Sequence, residues 1–560
     1  MQRRRKKRRK KNPEPSAVFP LKREAGFLPA KEAGTVQPDR GKKNSKTPSL
    51  EPKEDPEITK KKEKTREYSI YDASYFSITT GAGETFLTPF AIALGATTQI
   101  ISYLASVPLL ASSFIQLFAA RVINTVKNRK KVILINAFLQ GVLWLPIFFL
   151  PLITKNVWML VILFSLYALL GGFITPAWNS LIGDLVPEEE RGKYFGRRSR
   201  IAGFVAFLAV LFAGGVLQLF EKYDLFGYGV WFGFFIIFFV SMIARFVSLH
   251  YLKMHYEPPY NITKKDEFHF VDFLARMRYT NFGRFVIFRS LMAFSAMIAA
   301  PFFAVYILRD LQYDYFSFTL VIMASVVMSF LTMVYWGKYI DRFGNKKILV
   351  ISGILIPVIP FLYIVFKSVP LLMFAEIISG FAWGGFNLAT FNFIFDNVSP
   401  QKRARCVAYF NVIFGVFVFL GSIVGNYIIT HIEISIFHLT PILMTFLISG
   451  ILRLIVIVFL FPTLKEVRHV QNIKGSALFF DIVAIHPIKG LRYEVITSLH
   501  KLEEKLEDEV MTIEMTVKNL PRLGETDFKE AVKFLEGLGV YSRQHIGDVV
   551  DQLRRERKKK

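Results

Sequence analysis

Apolar residues along this chain come in long runs rather than in alternation. Twelve runs, at 72–94, 98–123, 132–152, 158–181, 199–220, 229–252, 285–308, 315–336, 348–366, 370–395, 407–428 and 439–461, stand between short polar connections. Each approaches the roughly 20 residues with which a helix crosses a bilayer. One longer polar stretch, 253–283, divides the series into six and six. The pattern predicts an all-α membrane protein with twelve transmembrane helices in two six-helix halves, 68–252 and 284–462, joined by a cytosolic linker. Three runs are interrupted by polar residues and are the less apolar: the first with Glu84, the fourth with Asn179, and the tenth with Glu376, Asn387 and Asn392.

The ends of the chain differ from its middle. Residues 1–67 hold 22 Lys and Arg against 10 Asp and Glu and almost no aromatics. Such a segment has too little apolar surface to fold, so the whole stretch is predicted to be a disordered basic tail. Its basic run at 3–11 is not followed by the apolar stretch of a cleavable signal. Next to a membrane that run suits anionic lipid headgroups, and with no aromatic platform beside it nucleic acid is not expected. Residues 463–560 are polar again. There Val495, Leu499, Leu502, Leu506, Val510, Ile513, Val517 and Leu520 step by three or four until Pro521 and Gly524. This predicts an amphipathic helix in a small cytosolic helical region, self-packed in preference to a coiled-coil seam.

Composition sharpens the picture. Of the 560 residues 52% are hydrophobic and 15% aromatic, with 57 Phe, which suits a surface facing lipid. The net charge of +26 must then lie outside the hydrocarbon. Alternate connections are basic, holding Lys127, Arg129, Lys130 and Lys131, then Arg191, Lys193, Arg197 and Arg198, then Lys338, Arg342, Lys346 and Lys347, then Lys402, Arg403 and Arg405. The opposite connections offer only Lys155, Lys222, Arg309 and Lys367. The positive-inside rule puts the basic face in the cytoplasm with both termini, as an even number of spans in the plasma membrane requires. A single cysteine, Cys406, excludes an internal disulfide. No phosphate loop, HExxH or Cys/His cluster is present, so neither an enzyme, a metal nor a cofactor is expected.

The two halves repeat one another. Gly171, Gly172, Phe173, Asn179, Pro187, Tyr194 and Phe195 recur about 213 residues later as Gly384, Gly385, Phe386, Asn392, Pro400, Tyr409 and Phe410. Residues 120–130, between the second and third runs, likewise match 337–347, between the eighth and ninth. The second copy reads Gly337-x-x-x-Asp341-Arg342-x-Gly344-x-Lys346-Lys347. It resembles the loop signature of the major facilitator superfamily, at the place where that family carries it in the second half. The resemblance covers about 70–462 and implies two six-helix bundles around a central cavity, with secondary transport of a small solute by alternating access. In this signature Gly337 would permit close helix approach, Gly344 a left-handed turn, and Asp341 an ionic latch with basic neighbours. The first copy departs from the signature, with Asn124, Thr125 and Lys127 in place of its Asp, Arg and Gly. Drug–proton antiporters of the family carry an Arg where this chain has Tyr167, and a Gly-Pro pair that is missing ahead of Gly214 and Gly215.

Ionisable residues inside the runs are Glu84, Arg245, Arg289, Glu376 and Arg453. Charges in hydrocarbon are costly and default to function. Glu84 is expected about 18 Å from the basic face, near the midplane, where a proton carrier belongs and where the fourth, seventh or tenth span is within reach. Glu376 is expected about 9 Å below the opposite face as a gate residue. Arg289 is a candidate substrate contact, and with Arg245 and Arg453 lies close enough to a run end to snorkel. Asn179, Asn387, Asn392 and Asn411 are expected as substrate ligands or interhelical bonds. The alternative function is a transport-inactive membrane scaffold or sensor acting through its cytosolic tails.

Overall fold

The structure, a computed structural model, describes residues 56–154, 156–187, 190–223, 229–259, 269–398, 400–432 and 439–467. The amphipathic helix expected at 495–520 and the basic run at 3–11 lie outside the described residues. Every regular element among the described residues is helical.

Eleven of the twelve expected spans are helices long and apolar enough to cross a membrane: Thr98–Ala119, Arg129–Phe148, Trp158–Gly183, Tyr194–Tyr223, Val230–Lys253, Asn281–Asp310, Tyr315–Phe343, Asn345–Val365, Val369–Asn397, Arg405–His431 and Pro441–Thr463. They are the second to twelfth spans in order. The first span is interrupted. It runs as the helix Pro56–Ile78, a π turn Thr79–Gly83, a 3-10 turn Glu84–Phe86 and the short helix Leu87–Ala93. The seventh is interrupted at the corresponding place, where Asn281–Met297 gives way to a 3-10 turn Ala300–Phe302 and ends in a π turn Tyr306–Asp310. Prolines account for part of this, because Pro89 and Pro301 bring no N–H to the helical ladder.

The expected disorder of residues 1–67 is corrected at its inner end, because helix begins at Pro56. Thr65 is buried there and accepts a hydrogen bond from the Tyr256 backbone N–H at 2.9 Å. Arg66 donates to the Leu185 carbonyl at 3.0 Å and pairs with Glu190 at 2.7 Å. Composition registered the polarity of this segment but not the partners that wait for it beyond the fourth and sixth spans.

The halves join along two seams. On the first, the Ser102 and Ser422 hydroxyls exchange bonds with each other's carbonyls at 2.7 and 2.8 Å between the second and eleventh spans. Deeper along that seam Asn411 donates to Gln116 at 2.8 Å, so Asn411 is an interhelical bond between halves. On the second, Gly214 of the fifth span lies against Thr319 of the eighth. Toward the poorly charged face the seams tighten. Arg309 donates to the Ala96 carbonyl at 2.7 Å, and the Phe316 N–H to Gln218 at 3.2 Å. A continuous buried core shared by both halves, with Phe90, Phe234, Phe302, Tyr306 and Phe446, fills the space behind these contacts. A second core, around Phe285, Phe288, Trp336, Phe386 and Phe393, belongs to the second half alone.

Candidate functional site

Local packing sets the first-span interruption. A Cβ added to Gly83 would stand 2.5 Å from Cη2 of Trp144 and 2.8 Å from Oγ of Ser241, so only glycine lets the chain pass. One turn earlier the Thr79 hydroxyl bonds the Ser241 carbonyl at 2.9 Å. Pinned in this way against the third and sixth spans, the chain turns Glu84 toward the fourth. There Oε1 of Glu84 accepts a hydrogen bond from the Tyr167 hydroxyl at 2.8 Å, and the carboxylate is half-buried. The Tyr167 ring is held edge-on by Trp144 at 5.7 Å.

From Tyr167 a line of buried polar groups leads back toward the basic face. Gln140 donates to the Tyr167 carbonyl at 2.9 Å and accepts from Nη2 of Arg245 at 2.7 Å. Nη1 of Arg245 donates to the Ser248 hydroxyl at 2.9 Å, and that hydroxyl donates to Oδ1 of Asp72 at 2.6 Å. The Arg245 guanidinium also lies 4.7 Å over the Phe76 ring, and Arg198 stands 3.9 Å from Asp72. The first, third, fourth and sixth spans thus supply one hydrogen-bonded network with Glu84 at its inner end, and the fifth adds Arg198 beside Asp72. The expected placement of Glu84 within reach of the fourth span holds; Tyr167, noted in the sequence only as a missing Arg, is its partner.

Arg289 is differently placed. It is 8% exposed, and Nη2 donates to the Asn387 amide oxygen at a long 3.3 Å. Its guanidinium carbon lies 4.7 Å from the Phe414 ring centroid, 5.2 Å from Phe386 and 5.9 Å from Trp383. Nε has no hydrogen-bond partner among the described residues, as is also the case for Nε of Arg245 and Arg453. Asn387 itself is exposed.

None of the three span arginines snorkels, because each finds acceptors or rings inside the protein. Arg453 is buried with Nη1 on the Ile356 carbonyl at 3.2 Å and Nη2 on the Ala296 carbonyl at 3.3 Å. Both carbonyls sit at helix interruptions. Pro360 brings no N–H to Ile356, four residues before it, and Ala296 lies where the seventh-span helix ends. In hydrocarbon a freed carbonyl such as that of Ile356 must be met by protein, whereas Ala296 also accepts from the Ala299 N–H at 3.2 Å. Glu376, half-buried, accepts from the Tyr363 hydroxyl at 2.7 Å. Asn179 is exposed and Asn392 half-buried, and neither takes a side-chain hydrogen bond among the described residues.

The signature residues sit at a helix end rather than in a free loop. Gly337, Asp341 and Arg342 lie within the helix Tyr315–Phe343, and Gly344 closes it with φ +89°. A Cβ on Gly337 would meet open space, so the close approach expected there is not made. Asp341 and Arg342 are exposed. Lys346 donates its backbone N–H to Glu466 at 2.7 Å, beside buried Asn345, which donates to Asp396 at 2.5 Å. Lys347 is half-buried. The first half repeats the arrangement: the Arg129 N–H donates to Glu257 at 2.6 Å and its guanidinium pairs with Asp184 at 2.5 Å. Lys127 there keeps the positive φ of Gly344, at +53°, despite carrying a side chain. Sequence reading missed these four carboxylates; their signal was an acid recurring after the fourth and tenth and after the sixth and twelfth spans.

Comparison with known proteins agrees with this geometry. The family model of the Major Facilitator Superfamily matches the chain twice, over residues 74–290 and 285–510. The multidrug resistance protein MdtG of Escherichia coli O1:K1 / APEC is 28% identical over 290 residues, and the match spans 50% of this chain and 66% of that protein. Among solved structures, an alanine mutant of the nucleoside transporter NupG superposes with a TM-score of 0.55 at 16% identity, over 72% of this chain and 100% of that one. The NupG structure without that mutation gives 0.52 at 15% identity, over 71% and 98%. These two likenesses concern the fold. With one family match on each six-span half, and the interruptions and basic-face corners repeated between them, this multi-pass membrane protein belongs to the Major Facilitator Superfamily.

Proposed function

We propose that the protein is a secondary transporter that moves a small solute by alternating access, with Glu84 as the proton-binding group that couples the two. The observation that carries the reading is the Glu84–Tyr167 bond at the first-span interruption, 2.8 Å long and backed by the Arg245 network. A carboxylic acid in that position can take a proton without leaving its hydrogen bond, since Tyr167 donates to either form. The matching interruption in the seventh span supports the rocking of one half against the other, because discontinuous helices mark the binding depth in transporters of this kind. A scaffold would have no use for a carboxylate held there.

In this reading the basic face is cytoplasmic, both termini lie on it, and the protein resides in the plasma membrane with anionic headgroups against its basic N-terminal tail. Cysteine placed at exposed Lys131 should resist an impermeant thiol reagent added to intact cells and react once the cells are opened. Labelling from outside would overturn the orientation.

The coupling is tested in proteoliposomes offered a panel of small organic anions, cations and neutral solutes under an imposed proton gradient. Glu84→Gln keeps an acceptor for Tyr167 but cannot ionise. It should lower gradient-driven uptake by about tenfold or more, a loss worth at least about 1.4 kcal/mol, and leave solute exchange at equal pH intact. Full gradient-driven uptake by this variant removes the coupling role. If no solute crosses with the wild-type chain, the scaffold reading replaces transport.

A further inference from the structure

Four arginines are buried within or beside the spans among the described residues; Nε of Arg245, Arg289 and Arg453 lacks a hydrogen-bond partner there, but in all except Arg289 both terminal nitrogens are hydrogen-bonded. Arg129 has the carboxylates of Asp184 and Glu257. Arg245 has Gln140, Ser248 and, through Ser248, Asp72. Arg453 has the Ile356 and Ala296 carbonyls, one on each terminal nitrogen. Arg289 has one amide oxygen at 3.3 Å and three aromatic rings. No carboxylate pairs with it among the described residues. A guanidinium carries five N–H donors in a planar fork, of which Arg289 uses one.

A buried cation without an anion is costly; Arg453 offsets that cost with a carbonyl on each terminal nitrogen, whereas Arg289 has a single amide oxygen, and its open N–H groups call for a partner that arrives from outside. The rings crowd the guanidinium carbon, so the part left for a ligand is the N–H edge. That edge matches a carboxylate in bidentate geometry. Beside it Trp383 and Phe414, both half-buried, offer ring faces to whatever the carboxylate is attached to. Asn387, exposed and bonded to Arg289, holds one branch of the fork in place.

We propose that Arg289, Asn387 and the rings of Trp383, Phe386 and Phe414 form the receptor for a small organic carboxylate with a flat apolar body, and that this is the transported solute. The inference rests on the transport reading for the word "transported" and on geometry alone for the receptor. Glu84 belongs to the other half, so solute and proton occupy separate sites.

The test is equilibrium binding of labelled benzoate to the full-length protein in lipid nanodiscs. Benzoate should bind saturably, and phenylacetate should compete. Benzyl alcohol and benzylamine, which keep the ring but not the anion, should compete at least about tenfold less well. Arg289→Gln should weaken benzoate binding about tenfold or more. Because that variant alters a buried position, Asn387→Asp provides a second route. It is nearly isosteric, places a carboxylate on the guanidinium within the protein, and should abolish benzoate binding without lowering the melting temperature. The proposal is overturned if neither carboxylate binds, if the alcohol or amine competes equally, or if benzoate binds Asn387→Asp as it binds the wild type. A chain that binds benzoate but moves no solute in proteoliposomes keeps the receptor and loses the transport reading.

Discussion

Replacing Arg245 with alanine should destabilise the protein by about 3–5 kcal/mol, the cost of removing one partner from a buried ionic network. The side chain is 3% exposed and closes the gap between Gln140 and Ser248. Its loss leaves the Gln140 oxygen without its donor and Asp72 with only the distant Arg198, 3.9 Å away, to offset its charge. Lysine in its place restores the charge but, as a point donor, not both branches of the fork, so Arg245→Lys should recover about half of the loss. Denaturant unfolding in a fixed detergent measures both. A cost below about 1 kcal/mol for Arg245→Ala would put the site in the range of an exposed ion pair and remove the network argument.

The second large effect is expected at Arg453. Arg453→Met keeps much of the volume but leaves the Ile356 carbonyl without its donor, at about 1–3 kcal/mol, and takes from Ala296 one donor while the Ala299 N–H remains at 3.2 Å. Relief of the buried charge offsets part of this, so the net loss should be about 1–3 kcal/mol. The cause can be isolated. Pro360→Ala returns an N–H to the ladder opposite Ile356, and in the Arg453→Met background it should recover about 1 kcal/mol more than it contributes alone. If the two substitutions are simply additive, Arg453 is not answering the proline.

The spans were legible because lipid selects on residue type alone, so apolar runs such as 229–252 and 439–461 announce themselves. The interruptions were not legible. A π turn at Thr79–Gly83 is a consequence of Gly83 meeting Trp144, sixty-one positions away, and hydropathy does not register a contact between spans. Glu84 stood out because an acid in an apolar run is rare. Tyr167 did not, since a tyrosine in a membrane helix is unremarkable until its hydroxyl finds a partner. The arginines were located correctly but assigned the wrong environment. Proximity to a span end suggested the interface for Arg245 and Arg453, whereas the acceptors lay on neighbouring helices. Arg289 and Asn387 were named separately, and only their meeting made a site of them.

The helix Pro56–Ile78 has a mechanical consequence. It is continuous for 23 residues, or about 35 Å at 1.5 Å per residue. It is tied at Thr65 and Arg66 to the chain beyond the sixth and fourth spans. It ends where the first span is interrupted, one residue before the π turn that leads to Glu84. A stiff rod held partway along its length is a lever with a fulcrum. Force applied at its outer end, around Lys60, is delivered beyond the ties with opposite sign, and the first joint it reaches is the one that carries the carboxylate.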